Sequence, residues 1–119
     1  MNTTDIATQL VAHCRQGRWE TAQRELFAAT AVSREPFASP GFDQETKGLA
    51  AIIEKGRKFE TMIEQLHSIT ISDPLVAANA FAVTMAMDVT MKGQPRRLMS
   101  ELCVYEVKDG KIVSEQFHI

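Results

Sequence analysis

The spacing of hydrophobic residues along the chain changes character near Leu66. Before it, apolar side chains recur every three or four residues; after it, they alternate with polar ones. The first spacing lines up one face of a helix and the second one face of a strand. Ile6, Leu10 and Cys14 form a helical stripe behind Thr3, Thr4 and Asp5, residue types that cap helix N-termini. Gly17 is placed to stop that helix. A second helix is expected from about Arg18 to Ala29, with Trp19, Ala22 and Leu26 on one side. Thr30 to Glu35, with Val32 among polar neighbours, reads as a short strand, and Pro36, Ser39, Pro40 and Gly41 as a loop. The clearest helix carries Leu49, Ile52, Ile53, Gly56, Phe59, Ile63 and Leu66 on one stripe.

In the second half, His67, Ile69 and Ile71 alternate with Ser68, Thr70 and Ser72, and Asp73-Pro74 turns the chain. Phe81, Val83, Met85, Met87, Val89 and Met91 mark a long strand. After Gly93-Gln94-Pro95, another strand spans about Arg97 to Lys108. Asp109-Gly110 is a hairpin signal, and the last strand runs from Lys111 to Ile119. Helices grouped ahead of strands predict an α+β fold, with three helices on one face of a curved antiparallel sheet. The 119 residues suit one domain spanning 1–119. On the remaining face, Ala82, Thr84, Ala86, Leu102 and Val104 are small or apolar, which predicts a homodimer formed through it.

Charge and composition remove some functions. With a formal net charge of −2, the chain lacks the clustered Lys and Arg that nucleic acid requires. The longest nearly apolar stretch, Leu75 to Met87, is too short to span a bilayer. Cys14 and Cys103 fit no disulfide framework, and no secretory leader precedes the first helix; a cytoplasmic location is expected. The three histidines show no metal-ligand spacing, so neither a metal nor another cofactor is expected.

Gly17-Arg18-Trp19 at the helical elbow, Glu35-Pro36 after the second helix and Lys108-Asp109-Gly110-Lys111-Ile112-Val113 in the last hairpin occur in a telling order. In that order the chain resembles the SnoaL-like families of the nuclear transport factor 2-like superfamily. The stretch from Glu101 to Val113, followed by Glu115-Gln116-Phe117, looks most like a SnoaL-like subfamily of no assigned activity. The resemblance covers essentially the whole chain. It implies a cone-shaped domain whose bent sheet wraps the third helix around a cavity. Its members include cyclases, isomerases, dehydratases and non-catalytic modules, so the fold does not choose among them.

Alternation places His67, Phe81, Val83, Met85 and Met87 on the core side. It leaves both faces of the 97–108 strand open, since each is partly apolar. Similarity to ketosteroid isomerases implies that Cys103 faces the pocket, with Glu101 and Tyr105 beside it. The same register turns Val113, Glu115, Phe117 and Ile119 inward. The implied polar set is Glu35, His67, Glu101, Tyr105 and Glu115, walled by Trp19, Phe59, Met62, Phe81, Met85, Cys103 and Phe117. The isomerases' general base, an acid just before a proline, falls on Glu35. Their carbonyl-polarising positions fall on Leu10 and Cys103, which cannot stabilise an oxyanion strongly.

Glu35, His67 and Glu101 are therefore the catalytic candidates for proton transfer on a small apolar organic molecule. The other reading is a non-catalytic dimeric module that binds a ligand or a protein. Each candidate also has a plain structural reading. Glu35 can satisfy loop amides beside Pro36, and His67 can sit hydrogen-bonded at the core edge. Glu101 and Glu115 can form ion pairs with Arg96, Arg97 or His67, and Tyr105 can simply fill the core.

Overall fold

A computed structural model describes residues 1–119. Helix α1 (Thr3–Arg15) opens on Asn2, whose side chain accepts a hydrogen bond from the Asp5 amide at 2.8 Å. The cap is thus Asn2, one residue ahead of the expected Thr3, Thr4 and Asp5. Gly17, at a φ of +71°, ends the turn that follows. Helix α2 (Trp19–Leu26) ends three residues earlier than expected, because strand β1 (Phe27–Arg34) begins immediately after it. The remaining elements are β2 (Glu45–Lys47), α3 (Leu49–Thr61), β3 (Ile63–Ile71), β4 (Leu75–Val76), β5 (Ala80–Met91), β6 (Arg97–Lys108) and β7 (Lys111–His118). No helix is long and apolar enough to cross a membrane.

The sheet has the order β2-β1-β7-β6-β5-β3, with β4 paired to β5. Every pair is antiparallel except β1–β7, which is parallel. The expectation of a wholly antiparallel sheet is corrected on that point: α3 and β3 to β6 lie between β1 and β7, so β7 can return beside β1 in the same direction. The β6–β7 hairpin turns at Asp109 and Gly110, both at positive φ (52° and 75°), as a tight two-residue turn requires. Bulges interrupt β3 between Ile63 and Gln65 and again between Leu66 and Ser68, and β6–β7 at Glu106/Val107. Each adds a residue on one side of a ladder and bends the strand, which gives the sheet its curve.

These bulges account for two corrections, one in α3 and one in β7. Helix α3 stops at Thr61, so Ile63 and Leu66 belong to β3. They still point inward, packing beside Met87, Val89 and Met91. Ile63, Leu66 and Ile69 face the core at three-residue steps because bulges lie between them, and that spacing imitates a helix. On β7 the bulge sends Ile112, not Val113, into the core: Ile112 is fully buried opposite Val107. Ile119 at the chain end is exposed, not inward.

The core has a main part and a lesser one. The main cluster joins Ile6, Leu10, Ala22, Leu26 and Ile52 from the helices to Phe81, Val83, Cys103, Tyr105 and Ile112 from the sheet. Tyr105 stacks on Phe81 at 4.8 Å between ring centroids and meets Phe27 edge-on at 6.5 Å. Met87, Val89 and Met91 form the smaller cluster, covered by Phe59, Ile63, Leu66 and Met99.

Candidate functional site

Three rows of inward side chains cross the sheet where its two apolar clusters meet. In the first, Ser33 of β1 lies opposite Glu115 of β7, which lies opposite Tyr105 of β6, which lies opposite Phe81 of β5. In the second, Phe117 pairs with Cys103 and Cys103 with Val83. In the third, Glu101 pairs with Met85 and Met85 with Ile71. Glu35 follows β1, next to the Phe117 row. Lys55 of α3 reaches down over these rows.

Its ammonium donates to the Ser33 hydroxyl at 2.7 Å and to Glu35 Oε1 at 3.1 Å, with the Phe117 ring centroid 5.7 Å away. Ser33 in turn donates to Glu115 Oε1 at 2.7 Å. Lys55, Ser33, Glu35 and Glu115 are thus one connected polar network inside an otherwise apolar interior. Ser33 is fully buried and Glu115 is 4 % exposed. The second Glu115 oxygen takes no hydrogen bond from the protein.

Glu101 differs from the other carboxylates. It is half-buried and makes no hydrogen bond or ion pair. Burial is the main cause that pushes its pKa up to about 7, and the charges of Glu35 and then Glu115 add to it, against the pull of Lys55. Burial also raises Glu115, opposed by the Ser33 hydrogen bond and Lys55. Tyr105 is held well above the ordinary phenol range by burial, with Glu115 the strongest charge acting on it. Both thiols are raised by burial, Cys14 to about 11, so neither is a nucleophile near neutrality. A carboxyl group titrating near 7 beside a fixed ammonium–carboxylate pair can both take and return a proton.

The structure brings together Glu35, Glu101, Glu115, Tyr105, Cys103, Phe117 and Met85. It sends His67 elsewhere. The β3 bulge at Leu66–Ser68 turns that side chain to the outer face, where Nε2 meets Thr90 Oγ1 at 2.8 Å. His67 is therefore corrected from core-side catalytic candidate to outer-face residue. Met62, the C-cap of α3, is 39 % exposed, and Trp19 is half-buried at the α1–α2 elbow beside Gly17. Phe59 packs on the smaller cluster. Arg96 chelates Asp88 instead of Glu101 or Glu115, at 2.7 and 2.9 Å.

Sequence reasoning missed Lys55 and Ser33, although both carried a signal. Lys55 stands three residues after Ile52 and four before Phe59, on the apolar stripe of its helix. Ser33 alternates with Ala31 and Glu35 along β1. A lysine on a buried stripe and a serine on a buried alternation both call for buried partners.

Two surface hollows lie apart from this network. A groove of about 520 Å³ runs between α3 and the 41–46 segment, and of the network it touches only Lys55. Its other cations are engaged, Arg57 with Glu20 and Lys58 with the Gly41 carbonyl. A shallow apolar hollow of about 320 Å³ lies over Leu75, Val76 and Val104. His, Cys, Asp and Glu side chains nowhere gather in a group able to hold a metal ion.

The same architecture recurs in solved structures. A protein of Mesorhizobium loti assigned as a SnoaL-like polyketide cyclase is 28% identical and superposes with a TM-score of 0.92, covering 100% of each chain. A protein of Xanthomonas campestris with a cystatin-like fold is 19% identical, with a TM-score of 0.82 over 98% of this chain and 89% of its own. A protein of Catenulispora acidiphila with a ketosteroid isomerase-like fold, solved in complex with trimethylamine, is 19% identical. Its TM-score is 0.70 over 96% of this chain and 84% of its own. No curated protein matches the chain. The model of the SnoaL-like domain matches residues 1–119, and the chain belongs to that family.

Proposed function

We propose that the inner-face network carries out proton transfer on a small, largely apolar organic molecule, with Glu101 as the acid–base group. The observation that carries this is Glu101 itself, an inward carboxyl group without a partner whose pKa is pushed up to about 7. A group that is partly ionised at neutrality takes a proton from carbon in one form and returns it in the other. Glu101 lies two residues before Cys103 on the same face of β6, whereas the isomerase resemblance puts the proton-transferring base on Glu35. Glu35 is bound to Lys55, and that pair positions the network while Glu101 exchanges protons. Ser33 orients Glu115. Phe117, Met85 and the Tyr105 ring supply the apolar surface that a small organic ligand needs.

The relatives support a small-molecule site of this type: one is assigned as a cyclase and another holds trimethylamine. The reaction class is acid–base isomerisation or cyclisation next to a carbonyl. The test is exchange of carbon-bound hydrogen for deuterium in heavy water, followed by proton NMR over a panel of small ketones. Protein-dependent exchange that Glu101→Gln abolishes is the expected result. Exchange that survives in Glu101→Gln at an unchanged rate contradicts the assignment.

We also propose that the chain forms a homodimer through the outer sheet face. Leu98 and Leu102 are exposed there, at 67 % and 42 %, beside Ala82, Ala86 and Val104.

A further inference from the structure

We propose that the inner-face site takes an organic ammonium, a small and otherwise apolar amine in its protonated form, and rejects carboxylates and phosphates. The inference rests on the site assigned above and names its ligand class. Its basis is a count of charges and of their partners. Three carboxyl groups, Glu35, Glu101 and Glu115, act on one another across the site, while Lys55 is the one cation that acts on Glu101.

That cation is already engaged. Lys55 gives one hydrogen to Ser33 and one to Glu35, and lies over the Phe117 ring. An incoming anion would find only the third Lys55 hydrogen, on an ammonium already paired with Glu35, and would face carboxylates instead. An incoming ammonium would find acceptors in waiting. Glu101 has no partner of its own. The second Glu115 oxygen, on a residue 4 % exposed, is also without one. Buried acceptors left in this state gain most from a charged donor. The Phe117 ring and the Met85 thioether add surface suited to alkyl groups around a cation.

The same placement couples binding to protonation. A positive charge beside Glu101 favours its ionised form, so ammonium binding should release a proton and leave Glu101 as a base. Affinity for the ammonium then rises with pH through the range in which Glu101 ionises. If only the ionised form binds, the gain from pH 6 to pH 8 is about tenfold for a group titrating near 7.

Three probes of one shape and different charge test this: tert-butylammonium, tert-butanol and pivalate. Calorimetry on the full chain gives affinities, and two buffers of different ionisation enthalpy count protons. Methyl NMR of Met85, directly opposite Glu101, locates the binding without any variant. The expected result is tightest binding of tert-butylammonium, about tenfold tighter at pH 8 than at pH 6, with proton release and a shifted Met85 methyl. Glu101→Gln should remove the pH dependence. Pivalate binding as tightly as the ammonium overturns the inference, as does equal binding of all three, or no binding of the ammonium at millimolar concentration. Any of these would leave deuterium exchange at Glu101 standing. Loss of that exchange with ammonium selectivity intact would instead remove only the proton-transfer reading.

Discussion

Strands β6 and β7 serve two regions of opposite character. Towards the hairpin, Val107, Tyr105 and Ile112 enter the main apolar cluster with Ile6, Leu26 and Ile52. Towards the far end, the same faces carry Glu115, bonded to Ser33 and through it linked to Lys55 and Glu35, and Glu101, which feels the charges of Glu35, Glu115 and Lys55. Stability in the first region comes from removing apolar surface from water. The second holds mutually repelling carboxyl groups away from water, which opposes folding. A protein keeps such a cluster against its own stability where the cluster does something that an apolar core cannot. The comparison therefore predicts opposite signs for side-chain removal in the two regions.

The largest effect belongs to the apolar region. Leu26→Ala, at a fully buried position, should lower stability by about 2–5 kcal/mol in urea unfolding, through lost burial and the cavity left behind. A cost under about 1 kcal/mol would mean that this end is loosely packed and the contrast is weaker than described.

Glu101→Gln should act in the other direction. Because the folded state raises the pKa of Glu101, that group favours folding while protonated. This contribution is present at low pH and is lost as pH rises from about 4.5 through about 7. The wild-type chain should therefore be less stable at pH 8 than at pH 5. The Gln variant should be the more stable protein at pH 8, by on the order of 2 kcal/mol after allowance for the partial exposure of the site. Denaturant melts at the two pH values check this, and a destabilised Gln variant at pH 8 would remove the opposition between the regions.

The smallest effect on folding lies outside both regions. Leu102→Lys, on the outer face, should change stability by no more than about 0.5 kcal/mol. It should convert the proposed homodimer to a monomer in light scattering. A wild-type chain that is already monomeric at micromolar concentration would refute the dimer and leave the inner-face account untouched.

The apolar region was more legible in sequence than the polar one. Regular alternation from Phe81 to Met91 and the Asp109-Gly110 turn set β5, β6 and β7 to within a residue or so, because burial on one face forces period two. Legibility failed at the bulges. Ile63, Leu66 and Ile69 keep a helix-like spacing inside β3, and that spacing overextends α3 and turns His67 to the wrong face. On β7 the same kind of irregularity exchanged Val113 for Ile112. Glu35, Glu101 and Glu115 were identifiable as inward carboxylates. Their partners were harder to find, because Lys55 and Ser33 come from elements distant in sequence and pairing across a fold is not a periodic signal. The state of Glu101 depends on burial and on charges from several elements, and local sequence encodes none of that.

Carboxyl carbon NMR of glutamate-labelled protein, followed from pH 3 to pH 9 with Glu101 assigned through Glu101→Gln, tests the central claim most directly. A Glu101 midpoint near 7 is the predicted result, well above the ordinary glutamate value of 4.5. A midpoint at 4.5 would show an ordinary solvated carboxylate, and would contradict both the charge-burying site and the acid–base role built on it.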